Sequence, residues 1–263
     1  MMAEHVISDE NWNPDLAQPG DGMCGCLPRR SVYGALPFAQ PAKVDLIPYE
    51  EWPDRIADEE RNQSSLWHVW QDSKIGVLMQ GQLNYCWGFS GVTALMLERE
   101  LQGLPYVPLS PSSVVAPIVG YMNRGGYIED CLKGMMDQGA SSTDYVPQAT
   151  NRAQEFKPGW REDAHQYRVT MWADVPADHQ TQGTMLFLKR PVPVGLNFWG
   201  HSVLFLRVLD RYPKLKANNP NRYGTKYLNS WDKTWGDGGC GILEGSKQVA
   251  DQAYAIEQSN FTE

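Results

Sequence analysis

The sequence predicts an α+β fold in which a helical lobe is followed by a lobe built of strands. Apolar residues recur at helical spacing between about residues 86 and 137. After about residue 165 the pattern changes to short apolar runs separated by turn residues. The length of 263 residues is sufficient for one large domain with a substantial core.

Three helices are predicted in the first lobe, at residues 86–101, 111–121 and 128–137. The first is the longest and ends before Gly103 and Pro105, two residues that favour a helix stop. The second lobe is predicted to contain strands at residues 192–198, 202–208, 225–229 and 241–244, with a long exposed connection over residues 212–223.

Residues 1–44 are rich in Pro, Gly and acidic or amide side chains and show no sustained periodicity. They are predicted to form an irregular N-terminal extension. The folded domain is then expected to span residues 45–263, with the first lobe at about 60–160 and the second at about 165–250.

The net charge of −8 argues against a surface for polyanions, so no nucleic-acid partner is expected. The first residues lack a positively charged stretch followed by an apolar core, which argues against a secretory signal. No apolar run reaches membrane-spanning length, so no membrane partner is expected either.

The cysteines are too few and too irregularly spaced for a disulfide framework, which favours a reducing compartment. Cys24-Gly25-Cys26 has no second pair of ligands at metal spacing, so we expect no zinc site. No other metal or cofactor is expected.

A cysteine, a histidine and an asparagine occur in an order that suggests nucleophilic catalysis. Cys86 begins the long helix, where unpaired backbone N–H groups and the helix dipole favour a thiolate with a depressed pKa. A thiol nucleophile needs a base and a group that orients the base, and His201 and Asn229 are candidates. Each residue alone also has a simpler explanation, as a buried small side chain, a core histidine or a turn residue.

Four segments together resemble the papain (C1) family of cysteine peptidases, over roughly residues 45–245. Residues 229–239 resemble the run Asn-Ser-Trp-Gly-x-x-Trp-Gly-x-x-Gly in all but one fixed position. The others are residues 80–90 around Cys86, residues 123–126, which resemble Cys-Asn-Gly-Gly, and residues 47–52, which resemble the start of the mature domain. The resemblance implies a papain-like two-lobed fold, with a helical left lobe, an antiparallel β-barrel-like right lobe and an active site in the cleft between them.

The resemblance also implies roles for individual residues. Cys86 would be the nucleophile, His201 the general acid and base, Asn229 the residue that orients His201, and Gln80 a donor to the oxyanion. The substrate, a polypeptide, would contact Gly125, Gly126, Ile128, Gly195, Ser202 and Trp231.

This chain departs from the family pattern at several positions. The cysteines that usually form a disulfide near the site align with Leu83 and Asn123, so that disulfide cannot form. Asp232 replaces a glycine and would raise the pKa of His201 if its carboxylate points inward. The segment before His201 is short, which predicts an open leaving-group side.

The extension lacks the helical pattern of an inhibitory propeptide, which argues against self-inhibition by a folded pro-domain. One hypothesis is that residues 24–41 lie across the cleft instead.

The leading functional hypothesis is a cysteine peptidase, cytoplasmic or virion-associated. The alternative is a structural or binding subunit of a large assembly such as a phage particle, with little or no activity and with the N-terminal extension making assembly contacts. Acyl transfer or cleavage of peptidoglycan amides by the same residues is a third hypothesis.

Overall fold

The helices lie mostly in the first half of the chain and the strands in the second half. The computed structural model describes residues 4–13 and 24–259. The α-helices are α1 (Trp52–Asn62), α2 (Leu66–Asp72), α3 (Cys86–Leu101), α4 (Pro111–Ile118), α5 (Ile128–Asp137), α6 (Trp160–Ala164) and α7 (His179–Phe187). Within the described ranges, no helix has the length and apolar character needed to cross a membrane.

The strands form one eight-stranded sheet. They are β1 (Val6–Ile7), β2 (Ala39–Pro41), β3 (Val169–Val175), β4 (Val192–Leu196), β5 (His201–Asp210), β6 (Tyr223–Leu228), β7 (Cys240–Glu244) and β8 (Gln252–Ser259). Their order in the sheet is β1-β7-β6-β5-β4-β8-β3-β2. The six inner strands pair antiparallel, and β1 and β2 pair parallel at the two edges. The α+β prediction is therefore confirmed.

The three helices predicted for the first lobe are present, although α4 ends at Ile118 rather than at residue 121. Gly120 and Tyr121 adopt positive φ angles, which terminate the helix. The strands predicted at 192–198, 202–208, 225–229 and 241–244 correspond to β4, β5, β6 and β7. The second lobe extends beyond residue 250, because β8 reaches Ser259.

The N-terminal extension is more ordered than its sequence predicts. It supplies both edge strands: Val6 pairs with Ile242 of β7, and Ala39 pairs with Trp172 of β3. The outer strand of a sheet has backbone N–H and C=O groups without hydrogen-bond partners. A short segment can pair with these groups even when its sequence has no strand pattern. The predicted irregular stretch at residues 14–23 lies outside the described residues, as do residues 1–3.

Helix α3 lies at the centre of the molecule, packed against α4 and α5 on one side and against β5 on the other. Residues 86–97 are all buried, so this helix is enclosed around its whole circumference rather than along one face. Two of its glycines mark close contacts, Gly88 with Val115 of α4 and Gly91 with Met135 of α5. The enclosure fixes the direction of α3 and therefore the location of its first residue, Cys86.

The contact between α3 and α4 predicts that Gly88→Ala destabilises the fold. A Cβ atom at Gly88 would lie 2.4 Å from Cγ1 of Val115. Overpacking costs about 1–3 kcal/mol, which exceeds the roughly 1 kcal/mol by which alanine favours a helix over glycine. We expect a lower free energy of unfolding in a urea titration.

Gly91→Ala is the matched control for this variant. Its Cβ would lie 3.0 Å from the terminal methyl group of Met135, which is flexible and can move aside. Equal stability of the two variants would contradict the close packing of α3 on α4.

Candidate active site

Cys86 is the first residue of α3 and is completely buried. The backbone N–H groups of Trp87 and Ser202 face its sulfur atom. Ser202 directly follows His201 at the start of β5, so the two segments that carry Cys86 and His201 meet at this point. The nucleophile candidate therefore lies at the junction between the helical lobe and the sheet.

His201 is held by Asn229, which follows the end of β6. The distance between His201 Nε2 and Asn229 Oδ1 is 2.8 Å, and the same oxygen accepts a hydrogen bond from the N–H of Ser230 at 2.8 Å. The imidazole ring lies 4.7 Å from the ring of Trp199 and 4.8 Å from that of Trp231. Since His201 and Asn229 are both buried, the indole rings keep water away from a hydrogen bond that water would weaken.

Gln80 connects the loop before α3 to the loop after β6. Its side-chain Oε1 accepts from the hydroxyl of Ser230 at 2.6 Å, and its Nε2 donates to the carbonyl of Leu83 at 2.7 Å. Its backbone N–H also donates to the carbonyl of Ser230 at 2.9 Å. These bonds fix the carboxamide of Gln80, which is fully buried, near the start of α3.

Asn123 forms a hydrogen-bonded clip at the position where the family pattern has a disulfide cysteine. Its Oδ1 accepts from the N–H of Asn84 at 2.8 Å, and its Nδ2 donates to the carbonyl of Gln82 at 2.9 Å. The two bonds flank Leu83, the other position that aligns with a cysteine. One amide side chain thus ties the loop before Cys86 to the segment of residues 123–126.

Residues 24–31, here called the strap, lie across the cleft over Cys86. The N–H of Gly25 points at the sulfur of Cys86, at 3.4 Å. On the helical lobe the strap forms a parallel bridge with Gly126, which donates to the carbonyl of Gly25 and accepts from the N–H of Leu27, both at 2.9 Å. On the other lobe the N–H of Cys26 donates to the carbonyl of Gly200 at 2.9 Å. The structure therefore agrees with the hypothesis that the extension crosses the cleft.

Three of the glycines predicted to contact substrate contact the strap. Gly126 forms the bridge just described. A Cβ atom at Gly125 would lie 2.6 Å from the carbonyl oxygen of Gly25, and one at Gly195 would lie 3.1 Å from the sulfur of Cys26. The strap therefore occupies the surface to which the family resemblance assigns the substrate.

The other residues predicted to contact substrate are placed differently. Ile128 is buried at the start of α5, and Trp231 packs on His201. The hydroxyl oxygens of Ser202 and Ser90 are hydrogen-bonded at 2.6 Å, and the Ser202 hydroxyl donates to the carbonyl of Val194 at 2.8 Å. These contacts turn the Ser202 side chain into the interior, so that its backbone rather than its hydroxyl is at the site.

Burial of the site raises the pKa of the Cys86 thiol to about 11. The backbone N–H groups of Gly25, Ser202, Trp87 and Cys26 act in the opposite direction, but desolvation dominates. The depressed pKa expected from the helix start is therefore wrong for the strapped form. At neutral pH the thiol is protonated while the strap is in place.

The carboxylate of Asp232 bonds to its own turn and not to the imidazole of His201. Its Oδ1 accepts from the backbone N–H of Thr234 at 2.6 Å, and hydrogen bonding by Thr234 lowers the Asp232 pKa. The carboxylate therefore stabilises its own turn, which answers the question of its direction that the sequence left open.

The leaving-group side is covered, although the short segment before His201 predicted an open one. Trp12 packs on Phe198, with ring centroids 4.8 Å apart, and His5 packs on Trp235 at 4.6 Å. A cavity of about 160 Å³ remains between these N-terminal residues and the tryptophans beside His201. The extension thus covers both sides of the site.

Among residues 4–13 and 24–259, no three His, Cys, Asp or Glu side chains come together as a metal site. The five cysteines are all free thiols.

The comparisons with solved structures show a papain-like fold. Digestive procathepsin L 3 from the larval midgut of Tenebrio molitor matches with a TM-score of 0.59 and 17% identity, over 92% of this chain and 77% of that chain. Xylellain, a cysteine protease from Xylella fastidiosa, matches with a TM-score of 0.57 and 18% identity, over 88% and 98% of the two chains. A structure from a study of the mite allergens Blo t 1 and Der p 1 gives 0.57 and 16%, over 89% and 75%.

No protein-family model and no curated protein matches the sequence. At these identities the structural matches establish the fold, and the roles of the site residues stay predictions.

Several residues of the site were not found by reasoning from the sequence. The hypothesis that residues 24–41 cross the cleft does not single out Gly25 as the contact to Cys86, and the sequence does not predict the contacts of Trp199, Asn123 and Ser230. Ser230 and Trp199 do lie next to predicted residues, which is a signal that could have identified them. The role of Asn123 depends on a contact between distant segments and had no local signal.

The raised Cys86 pKa predicts the pH dependence of alkylation. Iodoacetamide should react slowly with Cys86 at pH 7 in the full chain, and faster as the pH rises towards about 11, since the thiolate is the reactive form. In Gly25→Val a side chain would meet the carbonyl oxygen of Asn84, because even a Cβ atom would lie 2.3 Å from it. Displacing the strap restores water to the thiol, so the increase should begin at a lower pH.

Gly76→Val is the control for this experiment, because no atom lies within 4 Å of a Cβ at Gly76. Identical pH profiles for Gly25→Val and the wild type would show that the strap does not control the thiol.

The clip predicts that Asn123→Ala weakens the loop before Cys86. Loss of two hydrogen bonds, each of which contributes about 0.5–1.5 kcal/mol, should lower the free energy of unfolding by about 1–2 kcal/mol at this exposed position. The amide of Asn84 should exchange its hydrogen faster, as measured by NMR or mass spectrometry.

Arg124→Ala is the neighbouring control, since its exposed side chain makes no hydrogen bond within the described part of the chain. If Asn123→Ala and Arg124→Ala behave alike, the clip does not hold this loop.

Proposed function

We propose that this chain uses its papain-like fold as a cysteine peptidase, with Cys86 as the nucleophile. The observation that supports the proposal best is the buried pair of His201 and Asn229, joined at 2.8 Å beside a cysteine at the start of an enclosed helix. The pair supplies the oriented base that a thiol nucleophile requires.

The proposed reaction begins with transfer of the Cys86 proton to His201. Because Nε2 is bonded to Asn229, Nδ1 is the nitrogen that would receive it. The thiolate forms a bond to the carbonyl carbon of a peptide, and the carbonyl electrons move to the oxygen. Collapse of this intermediate breaks the C–N bond, and the imidazolium gives its proton to the leaving amine. Water, deprotonated by His201, then hydrolyses the thioester and restores the thiol.

Two donors are proposed for the negatively charged oxygen of the intermediate. One is the backbone N–H of Cys86, and the other is Nε2 of Gln80, whose carboxamide is oriented by the hydroxyl of Ser230. Donors fixed before the reaction need no reorganisation as charge develops, which makes them effective.

In this proposal the strap keeps the peptidase inactive. The N–H of Gly25 donates to the sulfur of Cys86, so strap backbone occupies the position in front of the reacting atom. It also desolvates the thiol and keeps it protonated. Displacement of the strap is therefore the activating step.

The proposal predicts that a peptidyl epoxide labels Cys86 stoichiometrically when the strap is displaced. In Gly25→Val we expect labelling at Cys86 alone, measured by intact mass and peptide mapping, at a rate well above that of the wild type. His201→Ala in this background should abolish labelling. Asn229→Ala should slow labelling by about 10²–10⁴-fold, the usual contribution of general acid–base catalysis.

Cys86→Ala in the same background is the negative control, and Cys131→Ala, a buried cysteine outside the cleft, is the positive one. If Gly25→Val is folded and Cys86 stays unlabelled, the cleft is catalytically inert and the proposed activity is wrong. Product analysis with peptide substrates then separates hydrolysis from acyl transfer.

A further inference from the structure

Arg29 of the strap occupies a pocket with two buried carboxylates. Its Nη1 and Nη2 donate to the two carboxylate oxygens of Asp174 at 2.8 and 2.6 Å, in the forked geometry typical of arginine. Its Nε lies 3.5 Å from Oε1 of Glu129. The Asp174 carboxylate is fully buried and that of Glu129 nearly so. The guanidinium of Arg29 therefore pairs with Asp174 and lies near Glu129. The Glu129 carboxylate also accepts from the N–H of Ser31 at 3.1 Å and lies 3.9 Å from Nε of Arg30.

The same pocket contains polar atoms that the strap leaves unsatisfied. Tyr254 is fully buried, and within the described residues its hydroxyl has no hydrogen-bond partner. The guanidinium carbon of Arg29 lies 5.5 Å from the centre of its ring. Oε1 of Gln252, also buried, has no partner within the same ranges. A buried polar group without a partner is unfavourable, so the pocket is incompletely satisfied while Arg29 occupies it.

The pocket is continuous with the cleft. The strap contacts Cys86 through Gly25. The next residue, Cys26, packs its sulfur against Gly195. The carbonyl of Leu27 then accepts a hydrogen bond from Nε2 of Gln252 at 3.0 Å. Arg29 follows two residues later. Gly126 and Gly195 are the positions that the family resemblance assigns to the acyl side of the substrate, so the pocket lies beyond them on that side.

We propose that this pocket is a substrate subsite that selects an arginine side chain on the acyl side of the cleaved bond. The inference rests on the proposed peptidase function. When the strap leaves, Asp174 loses its only guanidinium partner among the described residues and keeps the N–H of Gly34, at 2.7 Å, as a neutral donor. A buried carboxylate without a compensating positive charge is destabilising. A substrate arginine restores the forked pair and the contact with Tyr254. Lysine supplies a point charge without the fork and binds less well.

Binding to the pocket is tested on the full chain with Arg29→Ala, which empties it. Nα-acetylarginine amide should raise the melting temperature of this variant, and the neutral isostere Nα-acetylcitrulline amide should not. Arg30→Ala is the matched control. Arg30 pairs with the partly exposed Asp130 and lies 3.9 Å from Glu129, but its removal leaves Arg29 on Asp174, so this variant should respond to neither compound. Arg29→Ala/Asp174→Asn removes both partners, so it should fold and lose the response to arginine.

Selectivity is tested with peptidyl epoxides that carry arginine or citrulline at each position before the reactive group. With Gly25→Val/Arg29→Ala, in which the strap is displaced from Cys86 and Arg29 cannot compete for the pocket, arginine at one of these positions should label Cys86 about 10- to 100-fold faster than citrulline, the ratio expected for a hydrogen-bonded charge. If this variant does not fold, Gly25→Val and Gly25→Val/Asp174→Asn serve instead, and only the first should prefer arginine.

The outcomes separate the two proposals. Equal labelling by arginine and citrulline overturns the subsite and leaves the peptidase proposal standing. Absence of labelling by both overturns the peptidase proposal, and the melting experiment then still decides whether the pocket binds arginine. An equal thermal response to both amides also overturns the subsite.

Discussion

The enclosure of α3 is the constraint on which the site depends. A helix that is buried around its whole circumference can place only its ends near solvent, and Cys86 lies at the end that carries unpaired N–H groups. The chemistry of the other residues follows from this position. His201 begins β5, which packs on α3, and Asn229 follows the neighbouring strand, so strand pairing brings them beside the helix start.

The N-terminal extension completes the burial of this region by two different means. Its ends join the sheet as edge strands, which ties it to the domain by backbone pairing. Between them, the strap uses side chains and single backbone contacts, among them the bond of Arg29 to the fully buried carboxylate of Asp174. Such a segment can leave the cleft while its anchors stay paired, because the strap contributes no strand to the sheet. The edge strands attach the extension to the domain, and the strap between them covers Cys86.

The sequence predicted the elements whose pattern is local and missed those defined by their surroundings. Helix α3 was predictable because its apolar run ends at Gly103 and Pro105. In contrast, α7 is buried on nearly all sides and has no amphipathic period, and β3 lacks a regular alternation of buried and exposed residues. The ordered motif around Cys86, His201 and Asn229 predicted, without any distances, which segments carry the candidate site. The clip by Asn123 and the ion pair of Arg29 with Asp174 depend on contacts between distant segments, which no single-sequence pattern contains.

The clip differs in kind from the covalent bridge whose place it takes. A disulfide persists until a thiol or a reductant cleaves it, whereas two exposed amide bonds open and close with thermal fluctuation. Reducing agents therefore leave this connection unchanged, and heating or denaturant weakens it gradually. The loop that precedes Cys86 is held by two hydrogen bonds, which form without an oxidising environment and break without a reductant or an enzyme.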